Sequence, residues 1–183
     1  MSLISRQWTL PAVTTLLFML VACSEPVDTA ALQQFLDREA IEQTLDDANV
    51  GFELSDADLF ASAFAEDAEY ILDSQVPVFG YDKLQYTGRD DIRSIVAVRA
   101  ERAAAADPAT LSYDPASLRR YNRISNPLIT ILDGENARYT ANWMVTMKTN
   151  VDIHISAIGR YEDDLVKIND EWLIKRRIRS EYS

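Results

Sequence analysis

Cysteine and histidine are almost missing from this chain. Among its 183 residues there is one of each, Cys23 and His154. A single cysteine excludes an intramolecular disulfide. One cysteine and one histidine cannot assemble a zinc site of the usual His/Cys kind from this chain alone. No metal is expected, and no cofactor is among the expected partners. Positive charge is also short. Lys and Arg number 18 against 29 Asp and Glu, a net charge of −11. A surface this acidic repels phosphate backbones, so nucleic acid is not an expected partner.

What is present begins with an apolar run. Arg6 and the free amine make a weakly positive start, and Trp8 to Ala22 is apolar. The run is too short for a comfortable transmembrane helix and has the proportions of a signal peptide. It ends Leu20-Val21-Ala22-Cys23, which resembles the lipobox of bacterial lipoprotein signals. That resemblance implies cleavage before Cys23, diacylation of its thiol and acylation of its new amine. More than one acyl chain anchors a protein stably in a bilayer. Ser24 rather than Asp follows the cysteine, which in Gram-negative lipoproteins implies the outer membrane. The expected location is the bacterial envelope, lipid-anchored and facing the periplasm. The alternative is an ordinary secretory signal with a chance cysteine. Loss of residues 1–22 removes only Arg6 from the charge count and leaves −12. Residues 23–36, with Pro26 and small residues, read as a tether. Residues 37–183 then form one domain, long enough to bury a core.

Ile41, Leu45, Ala48 and Phe52 recur at helical spacing and predict a first amphipathic helix. After a break at Leu54-Ser55, Ser55 reads as the cap of a second helix, with Asp58 in the capping-box position. Leu59, Phe60, Ala63 and Phe64 would be its buried side, Asp67 its end, and Glu69 to Leu72 a first strand. Pro77 and Gly80 argue against a long strand there. Tyr81, Tyr86 and Phe79 cluster nearby, as pocket mouth or as core edge. Gly88-Arg89-Asp90-Asp91 opens a third helix, with acids in its first turn and Ile92, Ile95 and Val96 inward. Asp107-Pro108 stops it. The stretch from Asp107 to Arg120 reads as a lid or as a plain crossover.

Four long strands follow. Tyr121 to Leu132 contains Pro127, a sign of a bulge or edge. Asp133-Gly134-Glu135-Asn136 is a hairpin turn. In the next strand Ala141, Trp143, Val145 and Met147 share the inward parity. In the third, Ile153, Ile155, Ala157, Gly159, Tyr161 and Leu165 share one parity. In the last, Trp172, Ile174 and Ile178 do, against Lys175, Arg177 and Arg179. Three helices followed by an antiparallel meander make an α+β fold.

These elements carry a family resemblance. Phe64-Ala65-Glu66-Asp67, Gly88-Arg89-Asp90, Ser125-Asn126-Pro127 and Gly159-Arg160-Tyr161-Glu162-Asp163 resemble the SnoaL-like group. That group belongs to the nuclear-transport-factor-2-like, cystatin-like superfamily. The run from Gly159 to Arg177 is also similar to the beta subunits of aromatic-ring-hydroxylating dioxygenases, although no Rieske or iron-ligand set is present. The resemblance implies a cone, a curved sheet wrapped around a long helix. In enzymatic members it implies an apolar pocket at the cone mouth and cofactor-free acid–base chemistry. There an Asp of helix one works with one or two His from the sheet. A Tyr-Asp pair of dehydratase-like members aligns with Phe52-Glu53. The histidine places fall at Asn122 and near Asn142, and asparagine cannot exchange a proton near neutral pH. His154 has the opposite parity to Ile153 and Ile155 and reads as a surface residue.

Three functions remain open. The first is a binding module for a small apolar or aromatic molecule, its pocket lined by Phe52, Tyr70, Phe79, Tyr86, Asn142 and Trp143. The second is a cofactor-independent dehydratase or isomerase, with Glu53 as general base and Asn122 and Tyr70 as hydrogen-bond partners of an oxyanion. The third is a subunit pairing as a homodimer through an outer face of Met144, Thr146, Ile158 and His154.

Overall fold

The computed structural model describes residues 28–74, 81–105, 119–149 and 152–182. The expected signal peptide, Cys23, Phe79 and the stretch 107–118 lie outside them. The chain divides into two units, 1–33 and 34–183. In the first, Asp28 caps a helix: its Oδ1 accepts the amides of Ala30 at 3.0 Å and Ala31 at 3.1 Å.

That helix, α1 (Thr29–Leu54), starts eight residues before Asp37. In the second unit its buried stripe is Asp37, Ile41, Leu45, Ala48 and Gly51. Phe52 is half-buried, its ring centroid 5.9 Å from that of Phe60. Asp37 is a carboxylate on an apolar stripe, and it is satisfied. Its Oδ1 accepts from Trp172 Nε1 at 3.1 Å and from Lys167 Nζ at 2.9 Å.

The second helix differs from expectation. Ser55 sits at φ 58°, turning the chain, and Asp56 is the cap. Asp56 Oδ1 accepts the amides of Asp58 at 3.1 Å and Leu59 at 3.0 Å. The helix, α2 (Ala57–Ser62), is short. Phe64 to Asp67 lie not in it but in the first strand, β1 (Phe64–Asp73). The strand wins because β1 has a partner. It runs parallel to the last strand, β6 (Glu171–Tyr182), with Phe64 opposite Ile174 and Tyr70 opposite Arg177.

A short β2 (Gln85–Thr87) pairs antiparallel with β1, setting Tyr86 opposite Tyr70. Gly88, at φ 86°, makes the turn into α3 (Arg89–Ala105), which buries Ile92, Ile95 and Val96 as predicted. The meander follows: β3 (Arg119–Ile131), β4 (Asn136–Lys148), β5 (Ile153–Ile168) and β6. The sheet has six strands in the order β2-β1-β6-β5-β4-β3. The four-strand meander is thus extended by two strands beyond its last member.

Two bulges overturn the predicted parities. The β5–β6 register shifts between Asp164 and Leu165, where Ile174 opposes Leu165 and Arg176 opposes Asp164. Lys175 is the extra residue. Beyond it the faces exchange: Arg177 and Arg179 turn inward and Ile178 is only half-buried. A second shift, between Val145 and Thr146, leaves Ser156 unpaired in β5. Ile153 and Ile155 lie past it, 63% and 61% exposed rather than inward.

Candidate functional site

The concave face of the sheet is built from one residue in two along each strand. β4 contributes Trp143 and Val145, β5 Gly159 and Tyr161, and β6 Arg177 and Arg179. β1 adds Tyr70, β2 adds Tyr86, and Tyr81 precedes β2. Tyr70 is at the centre of the rings. Its centroid lies 6.3 Å from Phe60, 6.1 Å from Phe64, 6.4 Å from Tyr81 and 6.4 Å from Tyr86.

Two guanidinium groups enter this aromatic interior. Arg177 pairs with Asp163 of β5. The guanidinium carbon of Arg179 lies 3.8 Å from the Trp143 ring centroid and 5.5 Å from that of Tyr81. Its Nη1 donates to Glu181 Oε2 at 3.1 Å. Gly159 explains how the indole fits. A Cβ there would collide with Trp143 Cζ2 and with the Ser180 carbonyl oxygen. Trp143, paired with Gly159 across the strands, lies over the bare glycine, and Arg179 stacks against its ring.

Three buried side-chain atoms lack a hydrogen-bond partner among the described residues: Tyr81 OH, Trp143 Nε1 and Asn122 Oδ1. Such groups are few in folded proteins, and each costs about 1–3 kcal/mol when left unpaired. Asn122 opposes Val145 and so shares the concave face with Trp143.

Glu53 and Asn122 come together. The Asn122 backbone N–H donates to Glu53 Oε1, and Asn122 Nδ2 donates to Asn49 Oδ1 at 3.3 Å. The bond ties the Glu53 carboxylate at the end of α1 to the edge strand β3. Beside it opens a cleft of about 290 Å³ between α1 and the β3–β4 hairpin. Arg38, Glu42, Asp46 and Asn49 face Ile124 and Tyr139 across it. None of the expected pocket residues lines this cleft.

Of those residues, Tyr70, Tyr86 and Trp143 are brought together in the interior, each 1% exposed. Burial pushes the Tyr70 phenol well above its ordinary range, with Tyr81 and Tyr161 adding to the effect, so the hydroxyl keeps its proton. The Tyr86 hydroxyl donates to Asp82 Oδ1 at 2.5 Å. Asn142 does not join them. It faces away from Trp143, on the opposite side of β4, as strand alternation requires. His154 is exposed, its Nδ1 3.6 Å from Asp152 Oδ2. Sequence reasoning missed Arg179, because an arginine in a strand reads as solvent-facing. The signal was Gly159, a residue without a side chain opposite the largest one.

Comparison with known proteins agrees with this architecture. Residues 33–178 match the SnoaL-like domain, and the chain belongs to that family. Among solved structures it is similar to an NTF2-like protein with a cystatin-like fold from Novosphingobium aromaticivorans. There the TM-score is 0.67 at 15% identity, over 88% of this chain and 93% of that one. A candidate scytalone dehydratase from the same organism gives 0.60 at 18% identity, over 84% and 89%. The hexachlorocyclohexane dehydrochlorinase LinA-type3 from Novosphingobium barchaimii gives 0.62 at 12% identity, over 84% and 91%. These identities establish the fold alone. No curated protein matches the chain by sequence.

Proposed function

We propose that this protein is a lipid-anchored envelope protein whose SnoaL-like cone holds a small, largely apolar or aromatic molecule without converting it. One observation carries the binding role. Tyr81 OH and Trp143 Nε1, either side of the Arg179 guanidinium, and Asn122 Oδ1, beside the end of α1, are buried without partners from the described residues. A few unmet polar atoms set among apolar side chains are what a small-molecule site offers its ligand. Native mass spectrometry of the full chain, after exposure to envelope and lipid extracts, tests it. A retained small adduct is expected, and a chain that retains nothing ends the reading.

The anchor rests on the apolar run and Leu20-Val21-Ala22-Cys23. Cys23→Ser should release the protein from membranes. A variant that still sediments after a carbonate wash would remove the anchor from the proposal.

The contact between Glu53 and Asn122 supports a second reading, a dehydratase or isomerase with Glu53 as base. Against it, that carboxylate is already engaged by an amide, and Asn122 exchanges no proton. Glu53→Gln separates the two. A binder keeps its molecule unchanged in either form, whereas an enzyme accumulates it unconverted only in the variant. A third reading is pairing of two copies, supported by the exposed Ile153, Ile155 and Ile158. A monomeric profile in sedimentation at high micromolar concentration would count against it.

A further inference from the structure

We infer that Arg179, the Trp143 indole N–H and the Tyr81 hydroxyl form an anchor for the carboxylate of an aromatic or aliphatic acid. This rests on the binding role proposed above and names the chemical class of the molecule bound. The three side chains are in one place: the Arg179 guanidinium stacks 3.8 Å from the Trp143 ring centroid and stands 5.5 Å from that of Tyr81. Arg179 is 6% exposed and Trp143 1% exposed, so water reaches neither freely.

The hydrogen-bond inventory selects an acid. A guanidinium has five N–H donors and no acceptor, and an indole has one donor and no acceptor. Among the described residues only Glu181 Oε2 accepts from Arg179, through Nη1. Among the same described residues Trp143 Nε1 has no acceptor and Tyr81 OH no partner. The group is therefore rich in donors and poor in acceptors. A neutral alcohol or amide satisfies one or two of these donors and brings donors of its own. A carboxylate brings two acceptor oxygens and no donor, and matches the fork of an arginine.

The neighbouring charges leave Arg179 for this task. Arg177, on the same strand and face, is already matched by both oxygens of Asp163. Glu53 is turned onto the Asn122 amide, on β3, with β5 and β4 standing between that strand and β6. Glu181, the carboxylate paired with Arg179 among the described residues, is a third exposed and so faces water in part. The apolar remainder of the acid would lie against Tyr70, Tyr81 and Trp143.

The test uses the full chain, with phenylacetate and decanoate as probes and phenylacetamide and decanol as their neutral counterparts. Trp143 reports directly through its indole N–H resonance, assigned with Trp143→Phe. The expected result is a downfield shift of that resonance with an acid and not with its neutral counterpart. Affinity for the acid should exceed that for the neutral form by about tenfold or more. Trp143→Phe should lose several-fold of that preference, and Arg179→Gln most of it. Should Arg179→Gln fail to fold, the resonance shift in the natural sequence and the Trp143→Phe variant still decide. Equal affinity for acid and neutral probe overturns the anchor and leaves the binding role standing. Binding of neither at millimolar concentration overturns the anchor too, while the extract screen still decides the binding role.

Discussion

Arg177 and Asp163 face each other across β6 and β5 as a two-pronged ion pair. Nε lies 2.9 Å from Oδ1 and Nη2 lies 2.6 Å from Oδ2. Their side chains are 2% and 0% exposed. The guanidinium carbon is also 4.6 Å from the Tyr161 ring centroid and 5.5 Å from that of Phe64. Burial favours loss of the Arg177 proton, and the Asp163 carboxylate more than offsets it, so the group ends above its ordinary pKa.

A pair sealed in this way fails badly when only one member is removed. Asp163→Asn leaves a bare guanidinium in the interior and should cost about 3–5 kcal/mol. Replacing both, Arg177→Met with Asp163→Leu, leaves no unpaired charge and should cost much less. Urea midpoints of the three proteins check this. A loss of under about 1 kcal/mol in Asp163→Asn would mean that water reaches Arg177.

Gly159 supports the second guanidinium through Trp143. An added Cβ would meet the Ser180 carbonyl oxygen as well as Trp143 Cζ2, and would stand 2.6 Å from Trp143 Cε2. Backbone cannot give way as a flexible side-chain tip can. Gly159→Ala should therefore cost about 3 kcal/mol and push the indole off β5. Thermal unfolding reads the first effect. Tryptophan emission in a background carrying both Trp8→Phe and Trp172→Phe, where Trp143 is the remaining indole, reads the second. A Gly159→Ala chain with unchanged midpoint and emission would contradict this packing.

Legibility follows the range of the interaction that sets each element. The stripe Ile41, Leu45 and Ala48, the start of α3 and the Asp133–Asn136 turn were read correctly because each is set by local chemistry. Asp133 Oδ1, for example, accepts the amides of Glu135 and Asn136, both at 2.8 Å. Phe64-Ala65-Glu66-Asp67 looks helical in isolation and becomes strand only because β6 lies alongside. The bulge at Lys175 leaves no local signal, since Trp172, Ile174 and Ile178 alternate without it. That one extra residue decides which arginines enter the site. Family resemblance named Glu53 and Asn122 as members of one site but not the bond between them, since no local pattern encodes a contact between residues 69 apart.

The interior tyrosines make the fold sensitive to alkali. Burial and the bond to Asp82 raise the Tyr86 phenol to about 12, and burial raises Tyr139 to about 12. Burial also raises Tyr70 and Tyr161. In the unfolded chain these groups ionise near an ordinary pKa of about 10. An acid whose folded pKa is raised binds its proton more tightly when folded, so its contribution is complete below the unfolded value. It is lost as pH climbs from about 10 toward 12, because the unfolded state releases protons that the folded state keeps. Stability against urea should be flat through neutral pH and fall steeply above about 10. Tyrosinate absorbance at high pH should rise in step with unfolding rather than ahead of it. Tyr86→Phe removes one of these protons and should make the alkaline fall shallower. A tyrosinate signal that completes while the chain remains folded would show that the interior phenols meet solvent.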